Sequence, residues 1–315
     1  MPARLYEVAI LDDDFDTLRT LPCFAKLPLD APKARTLPTH MASELTPSLP
    51  LRTGADIPQI GLGVWQSPRG ATTRDAVRAA LRCGYRHIDT ARIYGNERDV
   101  GEGVKTSGVP RAEIFVTTKL WNDDQGYDSA LRAFDASLER LGLDYVDLYL
   151  IHWPVAGKRL DSWRALEKIF ADKRARAIGV SNYLVPHLVE LLAKAKVVPA
   201  VNQIEVHPFL QHRETRALCK TQGIIVEAYS PLTHGRRIGD PIISEVARGA
   251  KRTNAQVLLR WGIQHGMVVL PKSSNEGRIA ENAKVFDFEL DAAAMKRMDA
   301  LEEGAAMGWD PRQQS

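Results

Sequence analysis

The chain has 315 residues, 44% apolar and 26% charged, with a formal net charge of +3. That balance belongs to an ordinary globular protein, and the length suits either two small domains or one large α/β barrel. The charge is too weak to call for nucleic acid, and no apolar run approaches the ~18 residues of a membrane helix. Cys23, Cys83 and Cys219 are odd in number, far apart and not in CxxC pairs. A disulfide framework or structural zinc site is therefore not expected, and reduced thiols in a cytoplasmic setting fit better.

Residues 1–40 carry scattered prolines (Pro2, Pro22, Pro28, Pro32, Pro38) and no sustained period. Asp12, Asp13, Asp14 and Asp16 break any apolar stretch of the kind a signal peptide needs. The expectation is a weakly ordered extension over 1–45, with Met41 as an alternative start of the natural protein. A barrel domain over 46–305 and a short tail over 306–315 follow. Leu51–Ile57 reads as two short strands around a Thr-Gly-Ala-Asp turn, a hairpin placed to plug the bottom of a barrel.

Short β-branched runs then alternate with amphipathic stretches. Strands are predicted at Ile60–Val64, Arg86–Ile88, Ile114–Thr118, Val146–Ile151, Ala177–Val180, Ala200–Gln203, Ile225–Ala228 and Val268–Leu270. Helices are predicted at Thr73–Cys83, Asp128–Leu141, Ser162–Ala171, Pro186–Ala195, His212–Gln222 and Asn254–Gln264. Eight strands alternating with helices point to parallel pairing through right-handed crossovers, and eight is the number that closes a TIM barrel. An open doubly wound sheet would need a phosphate turn. The one Gly-x-Gly, Gly61–Gly63, lacks the third glycine and an adjoining helix.

Function on a barrel sits where strands end. The second strand is followed by Asp89 and, a short loop later, Tyr94; the third by Lys119; the fourth by His152 and Trp153. The fifth leads into Ser181 and Asn182, the sixth ends in Gln203, and the seventh in Tyr229-Ser230-Pro231-Leu232. The eighth is followed by Lys272, Ser273, Ser274 and then Arg278, Glu281 and Asn282. Asp89, Tyr94, Lys119 and His152 make chemical sense as a set. A phenol titrates near ~10, an adjacent ammonium favours its phenolate, and a buried lysine needs the counter-charge Asp89 supplies. A histidine beside them can orient a carbonyl oxygen. No HExxH spacing or nucleophile–base pair is present, so no catalytic metal is expected. Glu205 and His207 lie on one face of a strand without an evident partner and read as structural.

These residues sit in segments that resemble the aldo-keto reductase superfamily. The segments are Gly61-Leu-Gly-Val-Trp65, Gly84-Tyr-Arg-His-Ile-Asp-Thr-Ala91, Ile93-Tyr-Gly-Asn-Glu97 and Phe115-Val-Thr-Thr-Lys-Leu-Trp121. Asp144 through Pro154, Ile178-Gly-Val-Ser-Asn182, Asn202-Gln-Ile-Glu-Val-His-Pro208 and Leu270 through Asn282 extend the match over roughly residues 50–305. The run from Lys119 to Pro154 is similar to the bacterial 2,5-diketo-D-gluconate reductase-like branch.

The resemblance implies a (β/α)8 barrel that reduces aldehydes, ketones, keto-sugars or small dicarbonyls to alcohols with NADPH, as a cytoplasmic monomer. It implies Tyr94 as general acid, Lys119 and Asp89 tuning it, and His152 positioning the carbonyl. It gives Ser181, Asn182 and Gln203 to the nicotinamide carboxamide and Tyr229 to the nicotinamide ring. Ser230, Pro231 and Leu232 continue the cofactor contact. Lys272, Ser273, Ser274 and Arg278 would meet the adenosine 2′-phosphate, and Glu281 and Asn282 the adenine. Trp65, Trp121 and Trp153 would wall the substrate pocket. Two other readings stay open: Lys119 as a Schiff-base lysine, and a cofactor-binding regulatory protein on the same fold.

Overall fold

The computed structural model describes residues 46–311. The expected extension, the Met41 start and the end of the tail lie outside the described residues. The hairpin comes first: β1 (Ser48–Pro50) pairs antiparallel with β2 (Asp56–Pro58) across a turn closed by hydrogen bonds between Leu51 and Ala55 and between Gly54 and Leu51. The strands flank the predicted turn but lie a few residues outside it.

Eight parallel strands follow: β3 (Leu62–Gly63), β4 (His87–Asp89), β5 (Phe115–Leu120), β6 (Val146–Ile151), β7 (Ala175–Ser181), β8 (Val201–Glu205), β9 (Ile225–Tyr229) and β10 (Val268–Leu270). Each pairs with the next in sequence. Gly61 N donates to Val269 O at 3.0 Å and Gly63 N to Pro271 O at 3.0 Å, which joins the first strand to the last and closes the barrel. Three-residue strands such as β4 and β10 hold because both faces are buried.

Among the described residues ten α-helices lie between and after the strands: α1 (Ala71–Arg82), α2 (Glu97–Lys105), α3 (Tyr127–Leu141), α4 (Arg159–Ala171), α5 (Val185–Leu192), α6 (Arg213–Thr221), α7 (Pro241–Ala250), α8 (Asn254–Gln264), α9 (Glu276–Ala283) and α10 (Ala292–Asp299). Helices α2, α7, α9 and α10 were not predicted. Helix α2 is disguised by Gly101 and Gly103, poor helix formers. They are there for packing: a Cβ on Gly101 would stand 1.9 Å from Leu141 O, so only glycine lets α2 lie against the end of α3. Helices α7, α9 and α10 are short and take their start from side-chain caps, Asp240, Asn275 and Asp291, rather than from a long apolar stripe.

The apolar interior falls into two clusters. The larger lies between the strands and the helices. The smaller fills the barrel itself: Phe115, Leu148, Leu150, Ala177, Val201 and Val268 meet Leu51, Ala55 and Ile57 of the hairpin. The hairpin is therefore a plug whose apolar residues complete the barrel's lower layers. Above that packing the interior turns polar, and the functional residues collect there.

Candidate active site

Asp89 is the last residue of β4, and Lys119 lies one residue before the end of β5, both pointing into the barrel. Lys119 is fully buried and its Nζ donates to both carboxylate oxygens of Asp89, at 2.7 and 2.8 Å, and to Thr90 O at 2.9 Å. It also lies 3.3 Å from Tyr94 Oη, where it donates to the phenol oxygen. Burial is the largest single influence and pulls the pKa of this ammonium down, but Asp89, Tyr94 and Glu227 together outweigh it and hold the pKa above the ordinary lysine value. A protonated amine with all its hydrogens engaged is no Schiff-base nucleophile.

Tyr94 reaches this pair from a tight loop. Residues Arg92–Tyr94 form one 3-10 turn, and Gly95 follows at φ 67°, in the left-handed region glycine enters freely. Thr90 Oγ1 donates to Asn96 Oδ1 at 2.9 Å, and Asn96 Nδ2 donates to Val64 O at 2.9 Å, pinning the loop to the β3 rim. The sequence led us to expect that Lys119 would draw the Tyr94 pKa down. Burial is the larger influence and pushes it up, with Lys119 pulling the other way. Tyr94 is thus a phenol rather than a phenolate at neutral pH.

His152 follows β6, its backbone N bonded to Leu120 O and its carbonyl receiving Asn182 Nδ2 at 2.9 Å. Its ring meets Tyr94 edge-on at 5.8 Å between centroids and Trp121 edge-on at 5.2 Å. Burial, reinforced by Lys119, holds its pKa well below the ordinary imidazole value, so the ring is neutral. Nδ1 finds no hydrogen-bond partner among the described residues.

The residues expected to contact cofactor lie along the neighbouring strand ends. Asn182, at φ 63°, donates to Ser181 Oγ at 3.1 Å, while Tyr229 Oη donates to Asn182 Oδ1 at 2.8 Å. Ser181 Oγ donates to Gln203 O at 2.9 Å. Gln203 Nε2 donates to Asp89 Oδ2 at 2.9 Å and to Glu227 Oε2 at 2.6 Å. Ser230, Thr233 and His234 adopt left-handed backbone conformations in the loop after β9. His234 bonds Ser230 Oγ at 2.7 Å and lays its ring 5.3 Å from that of Trp65, which follows β3 on the far side of β10. Pro231 and Leu232 form the turn between.

Lys272, Ser274 and Arg278 are exposed around the start of α9 and Ser273 is half-buried. Asn275 caps that helix by accepting from Arg278 N at 3.0 Å. Glu281 accepts from Thr253 Oγ1 at 2.7 Å, and Asn282 is buried on the inner side of α9. The residues expected to contact cofactor therefore lie along neighbouring strand ends and are joined to the four-residue centre through Gln203, on Asp89, and Asn182, on the His152 carbonyl.

Three tryptophans were expected around the pocket. Trp65 is 43% exposed, Trp153 is buried, and Trp121 is half-buried against His152. A fourth, Trp309, lies 5.9 Å from Trp153, ring to ring, and is 68% exposed. It sits in the tail and carried no periodic signal. What holds the tail is Glu205: its carboxylate accepts from Met307 N at 2.9 Å and Gly308 N at 3.2 Å, and lies 3.2 Å from His207 Nε2. The structural reading of Glu205 and His207 has its partner there. Glu227 was also missed. Its signal was present: a lone carboxyl within Ile-Val-Glu-Ala-Tyr, two residues before Tyr229 and so on the same face of the strand.

Among the described residues no cluster of three or more His, Cys, Asp or Glu is placed to hold a metal ion, and no helix is long and apolar enough to cross a membrane. The closed parallel barrel thus brings a phenol in contact with a buried ammonium and a neutral imidazole together at its strand ends. The Aldo/keto reductase family model matches residues 59–303. The chain is 51% identical over 264 residues to the 9,11-endoperoxide prostaglandin H2 reductase of Trypanosoma cruzi, covering 83% of this chain and 93% of that one. It is 50% identical over 271 residues to the glyoxal reductase of Bacillus subtilis, covering 86% and 98%. A solved structure of a substituted form of Gox0644 in complex with NADPH superimposes with a TM-score of 0.82 at 42% identity, covering 86% of this chain and all of that one. The chain belongs to the aldo/keto reductase family, and it is an oxidoreductase of the carbonyl-reducing kind.

Proposed function

We propose that the chain reduces aldehydes, ketones, keto-sugars and small dicarbonyls to alcohols with NADPH, and that Tyr94 is the general acid. One observation carries the assignment of the acid: Lys119 donates to the phenol oxygen at 3.3 Å while its own charge is met by Asp89, which leaves the phenolic hydrogen free to be donated onward.

The residues present fit that cofactor. Lys272 and Arg278 are exposed cations that form no ion pair among the described residues, beside the N-terminus of α9. A phosphate suits a guanidinium that is always charged and an amine that is free. Gln203 spends its amide hydrogens on carboxyl groups, so its Oε1 is what it offers a carboxamide N–H, with Asn182 Oδ1 as a second acceptor. Tyr229 supplies the aromatic face. When bound, NADPH supplies the hydride that the carbonyl carbon accepts.

The chain's own residues handle the oxygen. One N–H of the neutral His152 ring orients the carbonyl oxygen toward Tyr94, and a neutral donor does so without a charge that would hold the alkoxide after reduction. As negative charge grows on that oxygen, the Tyr94 phenol passes its proton to it. The phenolate left on Tyr94 is met by Lys119 Nζ, already in place, so no reorganisation accompanies the transfer. Trp65, Trp121, Trp153 and Trp309 offer aromatic surface that excludes water around the carbonyl. Cys83 and Cys219 are free thiols, which supports a cytoplasmic setting.

The test is loss of absorbance at 340 nm with a panel of aldehydes and dicarbonyls, using NADPH and NADH in parallel. Turnover faster with NADPH is expected. Tyr94→Phe should still quench its fluorescence on NADPH binding and lose turnover by ~100-fold or more, the scale of general acid catalysis. Turnover at the parent rate in Tyr94→Phe overturns the assignment.

A further inference from the structure

Beneath the Asp89–Lys119 pair lies a second carboxyl that the reading above does not use. Glu227, in the middle of β9, is fully buried within the barrel. The register places it opposite Gln203 of β8 and Val268 of β10. Its Oε2 accepts from Gln203 Nε2 at 2.6 Å. Its Oε1 has no hydrogen-bond partner among the described residues; His87 Nε2 lies 3.5 Å from it but is itself engaged at 3.0 Å with Thr117 Oγ1.

The charges around it do not balance if every acid is ionised. Asp89 of β4 and Glu227 of β9 would carry two negative charges against one ammonium, Lys119 of β5. His87 cannot supply the second positive charge, because burial pushes its pKa down to about 3. Lys119 spends its hydrogens on Asp89, Thr90 O and Tyr94 and gives none to Glu227. A carboxylate oxygen buried without a donor is far costlier than a neutral acid. The balance at Glu227 is accordingly shifted toward the protonated acid: burial first, then Asp89, lift its pKa to about 8.

Gln203 Nε2 links the two carboxyls directly. Its two hydrogens go one to Asp89 Oδ2 and one to Glu227 Oε2, so the amide is gripped from both sides and Oε1 is turned away from them.

Resting on the assignment of Tyr94 as the acid, we propose that Glu227 is a positioning residue for carbonyl reduction, anchoring Gln203 from below and holding Tyr94 in its phenol form as the pH rises. The first part is geometric: without Glu227, one of the two grips on the Gln203 amide is lost. The second is electrostatic. A carboxylate formed at Glu227 places a negative charge one amide away from Asp89, which Lys119 joins to Tyr94, and favours the protonated form of both Lys119 and Tyr94. The phenol that reduction needs is kept, and the phenolate that alcohol oxidation needs is suppressed. Glu227 thereby biases the centre toward reduction under alkaline conditions.

Glu227→Gln separates the two parts. It keeps the shape and an oxygen to accept from Gln203 Nε2, and it is neutral at every pH. Phenol ionisation at Tyr94 is read without cofactor by ultraviolet difference titration, subtracting the same titration of Tyr94→Phe, alongside the pH profiles of reduction and alcohol oxidation. Glu227→Gln should move the Tyr94 titration and both alkaline limbs to lower pH by ~0.5 unit, a fraction of the shift that a charge in direct contact produces. Glu227→Ala should show the same shift and weaken NADPH binding severalfold, with Glu227→Gln restoring the binding but not the limb.

A merely structural Glu227 would lower the melting temperature without moving the limb. An unmoved titration in a folded Glu227→Gln variant overturns the proposal. If Tyr94→Phe itself turned over normally, the general-acid reading would fail instead, and the two failures are distinguished by that control.

Discussion

The Asp89–Lys119 pair is the place where one substitution has the most calculable consequence. Lys119 is fully buried and donates to both oxygens of Asp89, so Asp89→Asn leaves an ammonium with a carbonyl and a phenol but no counter-charge. Removing one partner of a buried pair costs about 3–5 kcal/mol, because the remaining charge stays desolvated. At roughly 2 °C per kcal/mol for a domain of this size, the melting temperature should fall by roughly 6–10 °C. Lys119→Met should cost a similar amount, stranding Asp89 with Gln203 as its one remaining side-chain donor.

The double variant removes both charges and should cost much less than the sum. Replacing both members by groups that need no partner avoids the stranded charge. The assay is a double-mutant cycle by urea unfolding at pH 7, with melting temperatures as a check. A coupling energy near zero, with the two single losses simply adding, would refute the argument that the pair is held by mutual charge compensation.

Three further outcomes follow from the site. Arg278→Ala should raise the KM for NADPH while leaving that for NADH nearly unchanged; equal loss for both would remove Arg278 from the 2′-phosphate. Glu205 is held below the ordinary glutamate pKa: burial would raise it, but hydrogen bonds from His207, Met307 N and Gly308 N outweigh that. Its stabilising contribution is then present above the unfolded pKa and lost as pH falls through the folded value. Acidification, or Glu205→Gln at neutral pH, should accelerate amide exchange at Met307 and Gly308, and unchanged exchange would show that another contact holds the tail. Glu227 has the opposite sign: its folded pKa lies above the unfolded one, so its contribution is full below about 4.5 and is lost as pH rises toward about 8. Glu227→Gln should flatten the fall in stability between those limits, and a parallel pH profile for parent and variant would count against a protonated Glu227.

The eight strands were legible because both of their faces are buried, so each appears as a short apolar run, and the site was legible because polar residues follow those runs. Asp89, Tyr94, Lys119 and His152 could be grouped from the order of strand ends, and the structure brings all four together. What stayed hidden depended on contacts across the chain. Helix α2 needed its two glycines to approach α3 and α1, a requirement that reads locally as a loop. Trp309 belongs to the pocket rim because Glu205, about a hundred residues earlier, captures the tail backbone. The direction of the Tyr94 shift was also out of reach, since pairwise reasoning registers Lys119 but not the depth of burial that outweighs it.

The barrel interior explains why this arrangement persists despite its cost. The lower layers are apolar and completed by Leu51, Ala55 and Ile57 of the plug, so the hairpin contributes packing where the strands are short. The upper layers hold Asp89, Lys119, Gln203, Glu227 and His87, a polar cluster that would destabilise any core if left unsatisfied. The cluster holds one ammonium against one carboxylate, a second carboxyl shifted toward its neutral form and a neutral imidazole, and it leaves Glu227 Oε1 without a donor among the described residues. A second ammonium facing Glu227 would pair it fully but would also pull Tyr94 toward phenolate and weaken it as a proton donor. On the general-acid role proposed for Tyr94, the bare oxygen of Glu227 is thus tied to the chemistry beside it, because the cation that would satisfy it best would weaken that acid.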